Sequence, residues 1–103
     1  MKFTPLPLAG AYRIDLEPRG DERGFFARLF CTQEFETHGL NAQWAQCNTS
    51  FSSECGVLRG LHFQRPPMAE VKFLRCLRGA IFDVIVDPVD GGDGGSTSVF
   101  GLI

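Results

Sequence analysis

The chain has 103 residues, a formal net charge of -2 and 44% hydrophobic residues. This length suits one domain with a modest core, and the absence of a basic excess argues against nucleic acid as a partner. The opening MKFTPLPLAGAY contains no apolar stretch long enough for a signal peptide or a membrane span. We therefore expect a protein of the cytoplasm.

The four cysteines support that expectation. They are Cys31, Cys47, Cys55 and Cys76, and no two of them have C-x-x-C spacing. Reduced thiols in a cytoplasmic protein are the favoured interpretation, and a disulfide in a secreted protein is the alternative.

Residues 1–22 are predicted to form an N-terminal arm, because prolines interrupt this segment and leave room for only a short strand at 11–16. A turn is expected in PRGDERG. The β-rich run FFARLF follows, and CTQEFETHGL then predicts one short helix with Thr32 as its N-cap and Gly39 as its C-cap.

The rest of the sequence is typical of an all-β protein. Four strand-like runs alternate with turn residues, namely GVLRGLHFQ, VKFLRCL, AIFDVIVD and TSVFGLI. In AIFDVIVD both alternating faces are largely apolar, which indicates a sheet core on one side and a cavity or subunit contact on the other. The loop DPVDGGDGG at 87–95 is rich in glycine, but its acids and the strand-like segment after it argue against a phosphate-binding loop.

Neither histidine has the spacing of a metal site, since His38 lies in the predicted helix and His62 in a predicted strand. A metal site is therefore not expected. A nucleophilic pair of His62 with Cys47 or Cys55 is less favoured than structural roles for these cysteines.

A set of polar residues on strand-like segments is the stronger sign of function. It comprises Gln46, Asn48, Arg59, His62, Lys72 and Asp83. Buried charges are costly unless paired, so the set suggests a lined pocket. The alternative is that Arg59 and Lys72 face solvent and His62 is a hydrogen-bonded core residue. Arg59 and His62 are three residues apart, so sharing one face requires an irregularity, which we expect as a bulge at Gly60.

Several motifs resemble one known family. GDERGFFARLF, QCNTSFSSECGVLRGLHFQ and PPMAEVKFLRCLRGAIFDVIVD, in this order, are similar to the N-terminal half of dTDP-4-dehydrorhamnose 3,5-epimerase and related sugar-nucleotide epimerases. The resemblance implies a cupin-type jelly-roll β-sandwich with one short helix. It also implies a homodimer with exchanged N-terminal arms, acting on dTDP-4-dehydro-6-deoxy-D-glucose without a metal or organic cofactor.

The same resemblance implies roles for individual residues. His62 matches the general base that removes protons beside the C4 ketone, and Lys72 and Arg59 match the cations at the enolate oxygen. Arg23 and Phe26, just after residues 1–22, match an arm that reaches into the partner subunit's site to grip the nucleotide. Further matches to substrate-binding positions are Arg28, Gln46, Asn48 and Asp83. Arg28 stands where the family often carries an acid.

The resemblance also implies that a tyrosine acid, an aspartate that orients the base and a second histidine lie beyond Ile103. The expectation is a single domain over 1–103, truncated relative to the family and forming an incomplete sandwich. The alternatives are a non-catalytic cupin that binds a dTDP-sugar or only oligomerises, and a related single-centre epimerase or keto-isomerase.

Overall fold

A computed structural model describes residues 1–86 and the backbone of residues 99–102. Its elements are β1 (Lys2–Pro5), β2 (Tyr12–Asp15), β3 (Arg19–Asp21), β4 (Gly24–Phe26), α1 (Thr32–Thr37), β5 (Phe82–Ile85) and β6 (Val99–Leu102). Within these residues the chain is all-β with one short helix, which confirms the predicted fold class. The chain divides into two compact units, Met1–Cys47 and Asn48–Ile103.

The first sheet of the first unit pairs β1 with β2 in antiparallel register, from Lys2 opposite Asp15 to Pro5 opposite Tyr12. The connection is closed by the Leu6 N–H, which donates to the carbonyl of Ala11 at 2.9 Å. The strand expected at 11–16 is confirmed, but β1 was not predicted. Pro5 is the last residue of β1, where the missing N–H of proline is tolerated.

The second sheet is a hairpin of β3 and β4, with only Glu22 and Arg23 between the paired ends Asp21 and Gly24. A Cβ atom on Gly20 would lie 2.5 Å from the Gly24 carbonyl oxygen, so the close approach of the strands requires glycine there. Gly24 has a φ of 137°, which side-chain-bearing residues rarely adopt. The turn in PRGDERG is thus confirmed, whereas the strand covers only the start of FFARLF.

Helix α1 lies inside the predicted segment, but the caps differ from the prediction. Thr32 is the first helical residue, and Cys31 is the N-cap without a side-chain capping bond. His38 is the C-cap, and Gly39 follows it with a φ of 69°. Glycine therefore ends the helix from the position just after the cap, where the left-handed conformation is needed.

Aromatic side chains form the core of the first unit around Phe35, which is 2% exposed. Its ring makes edge-on contacts with three others, at centroid distances of 5.6 Å to Phe3, 4.8 Å to Phe30 and 6.5 Å to Trp44. Such edge-to-face pairs add to the free energy of apolar burial. They fix α1 against β1 and against the segments that flank the helix.

The second unit contains one described sheet, in which β5 and β6 pair antiparallel from Phe82 opposite Leu102 to Ile85 opposite Val99. This pairing confirms strands within the last two predicted runs. The strands expected at 56–64 and 71–77 were wrong, because the described pairings include neither segment. Alternating residues favour extended backbone, but a sheet forms only where a second strand satisfies the backbone N–H and C=O groups. The predicted loop at 87–95 lies outside the described residues.

Candidate functional site

The motif at residues 56–64 lies in the second unit without regular secondary structure. Gly60 has a φ of 117°, in the region that favours glycine. The chain therefore does not continue as a regular strand from Arg59 to His62. The expected irregularity at Gly60 is present, although it falls in a segment outside the sheets and is not a bulge within a strand.

Arg59 has a defined partner in this segment. Its Nη2 donates a hydrogen bond to Ser52 Oγ at 3.2 Å. Arg59 is exposed, whereas Ser52 is half-buried and so better fixed. The contact limits the directions in which the guanidinium can point.

His62 is exposed, so the part of the alternative that places it in the core is wrong, whereas the exposure of Arg59 agrees with the other part. Lys72 is half-buried, which allows its aliphatic stem to be covered while the ammonium group stays accessible. Arg65 lies over the ring of Phe63, with Cζ 5.5 Å from the centroid, and Arg75 lies over Phe73 at 5.8 Å. His62 and Lys72 are thus each followed in sequence by a phenylalanine whose ring contacts the arginine two positions further on.

Asp83 lies on β5, opposite Gly101. The residue is exposed overall, but partial burial of its carboxyl group raises the pKa, and a backbone hydrogen bond from Val84 opposes this effect. Partial loss of solvation favours the neutral acid. Asp83 is therefore less readily ionised than an ordinary surface aspartate.

In the first unit, Arg23 lies in the turn of the β3–β4 hairpin and is bound to Asp21. The carboxylate accepts from Arg23 Nη2 at 2.7 Å and from Nε at 3.2 Å. These bonds lower the pKa of Asp21 and raise that of Arg23. Phe26, at the end of β4, is 79% exposed, so the hairpin presents both a cation and an apolar ring to solvent.

Arg28 has a different role in the structure from that of Arg23. Its Nη1 donates to Glu34 Oε2 at 2.9 Å, while Glu34 Oε1 accepts from the amine of Met1 at 3.1 Å. The same amine lies 2.7 Å from Glu17 Oε2. Arg28 therefore connects the β4–α1 segment to the helix, a contact that an acid at this position could not make with Glu34.

The predicted site residues fall into two groups. The first unit carries Arg23, Phe26, Arg28 and Gln46, and the second carries Asn48, Arg59, His62, Lys72 and Asp83. Gln46 and Asn48 are both exposed and flank the boundary between the units.

The contacts missed by sequence reasoning include those of Asp21 with Arg23 and of Ser52 with Arg59. The first had a signal in the sequence, because an aspartate at a turn commonly bonds the backbone two residues on. The contact of Ser52 with Arg59 had no signal in the sequence, because no local motif relates a serine to an arginine seven residues further on.

Within the described residues, no group of three or more His, Cys, Asp or Glu side chains could hold a metal ion. All four cysteines are free thiols. In that same part of the chain, no helix has both the length and the apolar character needed to span a bilayer.

A family model described as dTDP-4-dehydrorhamnose 3,5-epimerase matches residues 5–93. The chain belongs to this epimerase family. The match includes all nine of the predicted site residues, from Arg23 to Asp83. The strands and single short helix are consistent with a cupin-like all-β fold in this family.

Curated relatives agree with the family match. The chain is 41% identical over 87 residues to a dTDP-4-dehydrorhamnose 3,5-epimerase of Sinorhizobium fredii, covering 84% of this chain and 45% of the relative. It is 52% identical over 75 residues to the protein of that name from Escherichia coli, covering 70% and 40%. A dTDP-4-dehydrorhamnose 3-epimerase of Streptomyces niveus is 41% identical over 88 residues, covering 84% and 42%.

The chain thus spans less than half the length of these relatives, all of which are named as epimerases, a class of isomerase. No solved structure matches it.

Proposed function

We propose that this chain carries the base and the enolate-stabilising cations of a dTDP-4-dehydrorhamnose 3,5-epimerase. The substrate would be dTDP-4-dehydro-6-deoxy-D-glucose, converted in the synthesis of dTDP-L-rhamnose without a metal or organic cofactor. The observation that carries the proposal is the family match over residues 5–93, which contains Arg59, His62 and Lys72. Because the chain covers 40–45% of these relatives, the activity of the complete protein is part of the proposal.

The chemistry requires removal of a carbon-bound proton next to a ketone. In the proposed step, His62 accepts the proton, the C–H electron pair forms a C=C bond, and negative charge moves onto the C4 oxygen. Lys72 and Arg59 donate hydrogen bonds to that oxygen, and such fixed donors typically contribute about 10² to 10³ in rate. A proton returned from an acid to the opposite face of C3 or C5 inverts that carbon and leaves the ketone unchanged.

The remaining residues would bind the nucleotide and the sugar. Arg23 and Phe26 are proposed to grip the nucleotide from an N-terminal arm exchanged within a homodimer, and their exposure on the hairpin supports this role. The other proposed substrate contacts are Arg28, Gln46, Asn48 and Asp83. A reducing location such as the cytoplasm fits the four free thiols.

The test is solvent exchange at the two carbons. We expect incubation of the chain with the 4-keto sugar nucleotide in deuterated water to place deuterium at C3 and C5, detected by NMR. His62→Asn should lower the rate of exchange by about 10² to 10⁴, the usual contribution of a general base.

The matched control is His38→Asn, which changes the only other histidine. His38 caps α1 and stacks on Phe3 at 4.0 Å, so it belongs to the packing of the first unit. Exchange that is equally fast in wild type and His62→Asn would contradict the assignment of the base, and exchange that is absent from the wild type would contradict the proposed activity of the chain.

A second candidate function is binding of the dTDP-sugar without turnover. The observation that favours it is the position of the chain's single tyrosine. Tyr12 lies on β2 and contacts the ring of His38 edge-on at 6.0 Å, so it belongs to the packed first unit. This candidate predicts dTDP binding that weakens in Arg59→Ala and Lys72→Ala, with no exchange at any pH.

The Streptomyces niveus relative is named a 3-epimerase, which makes a single-centre reaction a specific alternative. Deuterium at C3 alone would favour that reaction, and deuterium at both carbons would favour the 3,5-epimerase.

A further inference from the structure

Asp21 makes two kinds of contact with the same residue. Its Oδ1 accepts the backbone N–H of Arg23 at 2.9 Å, which closes the turn. Its two carboxylate oxygens also accept from the guanidinium, at 3.2 Å from Nε to each oxygen and at 2.7 Å from Nη2 to Oδ2. Asp21 therefore fixes both the backbone and the side chain of Arg23.

These bonds occupy one edge of the guanidinium group. An arginine has five N–H donors, and Asp21 takes the Nε–H and one hydrogen of Nη2. Both hydrogens of Nη1 and the second hydrogen of Nη2 have no bond to any described residue. The side chain of Arg23 is 85% exposed, so this second edge faces solvent. Two parallel N–H groups on one edge match the spacing of two phosphate oxygens.

We infer that Asp21 is a positioning residue, which holds the Nε–Nη2 edge of the Arg23 guanidinium so that the adjacent Nη1–Nη2 edge is presented to the diphosphate of the nucleotide. The inference rests on the proposed function, which gives Arg23 a nucleotide contact, and adds how that contact is prepared. A flexible arginine loses side-chain freedom on binding a phosphate. With Asp21 as partner, part of that freedom is already lost in the unbound protein, so binding is stronger.

Asp21 could in principle weaken nucleotide binding instead of strengthening it, and the test distinguishes these two effects. The negative charge of Asp21 repels phosphate, so a carboxylate that merely competed for Arg23 would weaken nucleotide binding. A variant that lacks the charge of Asp21 should bind dTDP more weakly if positioning of Arg23 dominates, and more tightly if repulsion of the phosphate dominates. Exposed ion pairs are weak, and we expect positioning to change the affinity by about two- to fivefold.

The experiment compares Asp21→Asn with Glu22→Gln. The asparagine oxygen can still accept the Arg23 N–H, so the turn is kept while the two-oxygen contact with the guanidinium is lost. Glu22 is exposed in the same turn, and Glu22→Gln removes the same charge without touching Arg23. The affinity of each full chain for dTDP and for thymidine is measured by calorimetric titration.

Positioning predicts that Asp21→Asn binds dTDP about two- to fivefold more weakly than Glu22→Gln, while thymidine, which has no phosphate, binds equally to both. A purely structural role would weaken both ligands alike. Equal or tighter binding of dTDP by Asp21→Asn would overturn the inference.

A second measurement separates this inference from the proposed function. The Arg23 Nε–Hε signal in an NMR spectrum should be distinct in the wild type and in Glu22→Gln, and averaged with other arginines in Asp21→Asn. An averaged wild-type signal overturns the inference even if dTDP binds. A distinct signal without dTDP binding by the wild type overturns the nucleotide role of Arg23, and with it the diphosphate as ligand, while the Asp21–Arg23 contact stands.

Discussion

Phe35 is the residue on which the first unit most depends. Three rings contact it edge-on, and it is the large side chain that is almost completely buried among the described residues. Replacing such a phenylalanine with alanine removes apolar contacts and leaves a cavity.

We expect Phe35→Ala to lower the free energy of unfolding by about 3–5 kcal/mol, and Phe35→Leu to lower it less. The measurement is urea denaturation followed by the fluorescence of Trp44, the only tryptophan, whose ring is 6.5 Å from Phe35. Phe26→Ala, at a ring that is 79% exposed, is the control and should change stability little. Equal losses in the two variants would contradict this account of the core.

Glu34 determines a second property at the scale of single residues, the response to acid. Hydrogen bonds from Arg28 and from the Met1 amine lower the pKa of the Glu34 carboxyl. A carboxyl with a lowered pKa in the folded state adds stability above its unfolded pKa, and this contribution is lost as the pH falls through the folded pKa.

We therefore expect Glu34→Gln to reduce the loss of stability between neutral and acidic pH, measured by urea denaturation across a pH series. Glu36→Gln, at an exposed position of the same helix, is the matched control. The prediction fails if the pH dependence of Glu34→Gln equals that of the wild type.

At the scale of elements, the β3–β4 hairpin depends on the glycine at position 20. A Cβ atom there would meet backbone at 2.5 Å and the Cβ of Phe25 at 2.9 Å, and neither can move aside without changing the hairpin. Overpacking of this kind typically lowers the free energy of unfolding by about 1–3 kcal/mol.

We expect Gly20→Ala to disrupt the pairing of Gly20 with Phe25. Under the proposed nucleotide contact of Arg23 it should also weaken binding of dTDP, because Arg23 lies in the turn that this pairing closes. Loss of the cross-strand contacts between these two residues in a nuclear Overhauser spectrum is the direct measurement. Arg19→Ala, at an exposed neighbour on the same strand, should retain them. A hairpin that persists unchanged in Gly20→Ala would contradict the pairing of Gly20 with Phe25.

The elements also show what a sequence pattern can and cannot predict. The helix, the turn in PRGDERG and the strands at 12–15 and 82–85 were predictable, because glycine, aspartate and alternating residues act locally. The strand β1 was not predicted because it ends in a proline, which disfavours strands. The N-cap was not predicted either, because Cys31 makes no side-chain capping bond and is not a typical capping residue. The runs at 56–64 and 71–77 have strand-like composition, but pairing depends on a partner elsewhere in the chain, which composition does not specify.

The same distinction applies to the candidate site. The family resemblance predicted His62, Lys72 and Arg59 as catalytic residues, and the glycine between Arg59 and His62 predicted a bulge within a strand, whereas the segment is irregular and lies outside the sheets. The alternation of residues, however, could not tell an exposed His62 from a core one. The serine that binds Arg59 had no sequence signal, because that contact depends on how the loop folds back.

At the scale of the whole molecule, the second unit leaves many large apolar side chains in contact with solvent. They are Phe51, Leu58, Leu61, Phe63, Met68, Val71, Phe73, Leu74, Leu77, Ile81, Phe82 and Val86. Removing apolar surface from water is favourable by about 25 cal/mol per Å², so such exposure promotes association.

We expect the chain to form larger species as its concentration rises, and Leu77→Ser combined with Phe82→Ser to shift it toward the monomer. These two residues are 75% and 73% exposed. The measurement is light scattering coupled to size-exclusion chromatography over a concentration series, with Glu54→Gln, an exposed polar position of the same unit, as the control. A wild-type chain that stays monomeric throughout would refute the prediction.

The contact of Asp21 with Arg23 closes within three residues and depends on no distant part of the chain. The contacts that direct this arginine therefore lie within the five residues GDERG, with one glycine for the strand approach and one for the turn, on a hairpin whose pairing continues to Phe25 and Phe26. Such a hairpin turn is portable: we expect it to keep the direction of its arginine when it is grafted onto another two-residue hairpin.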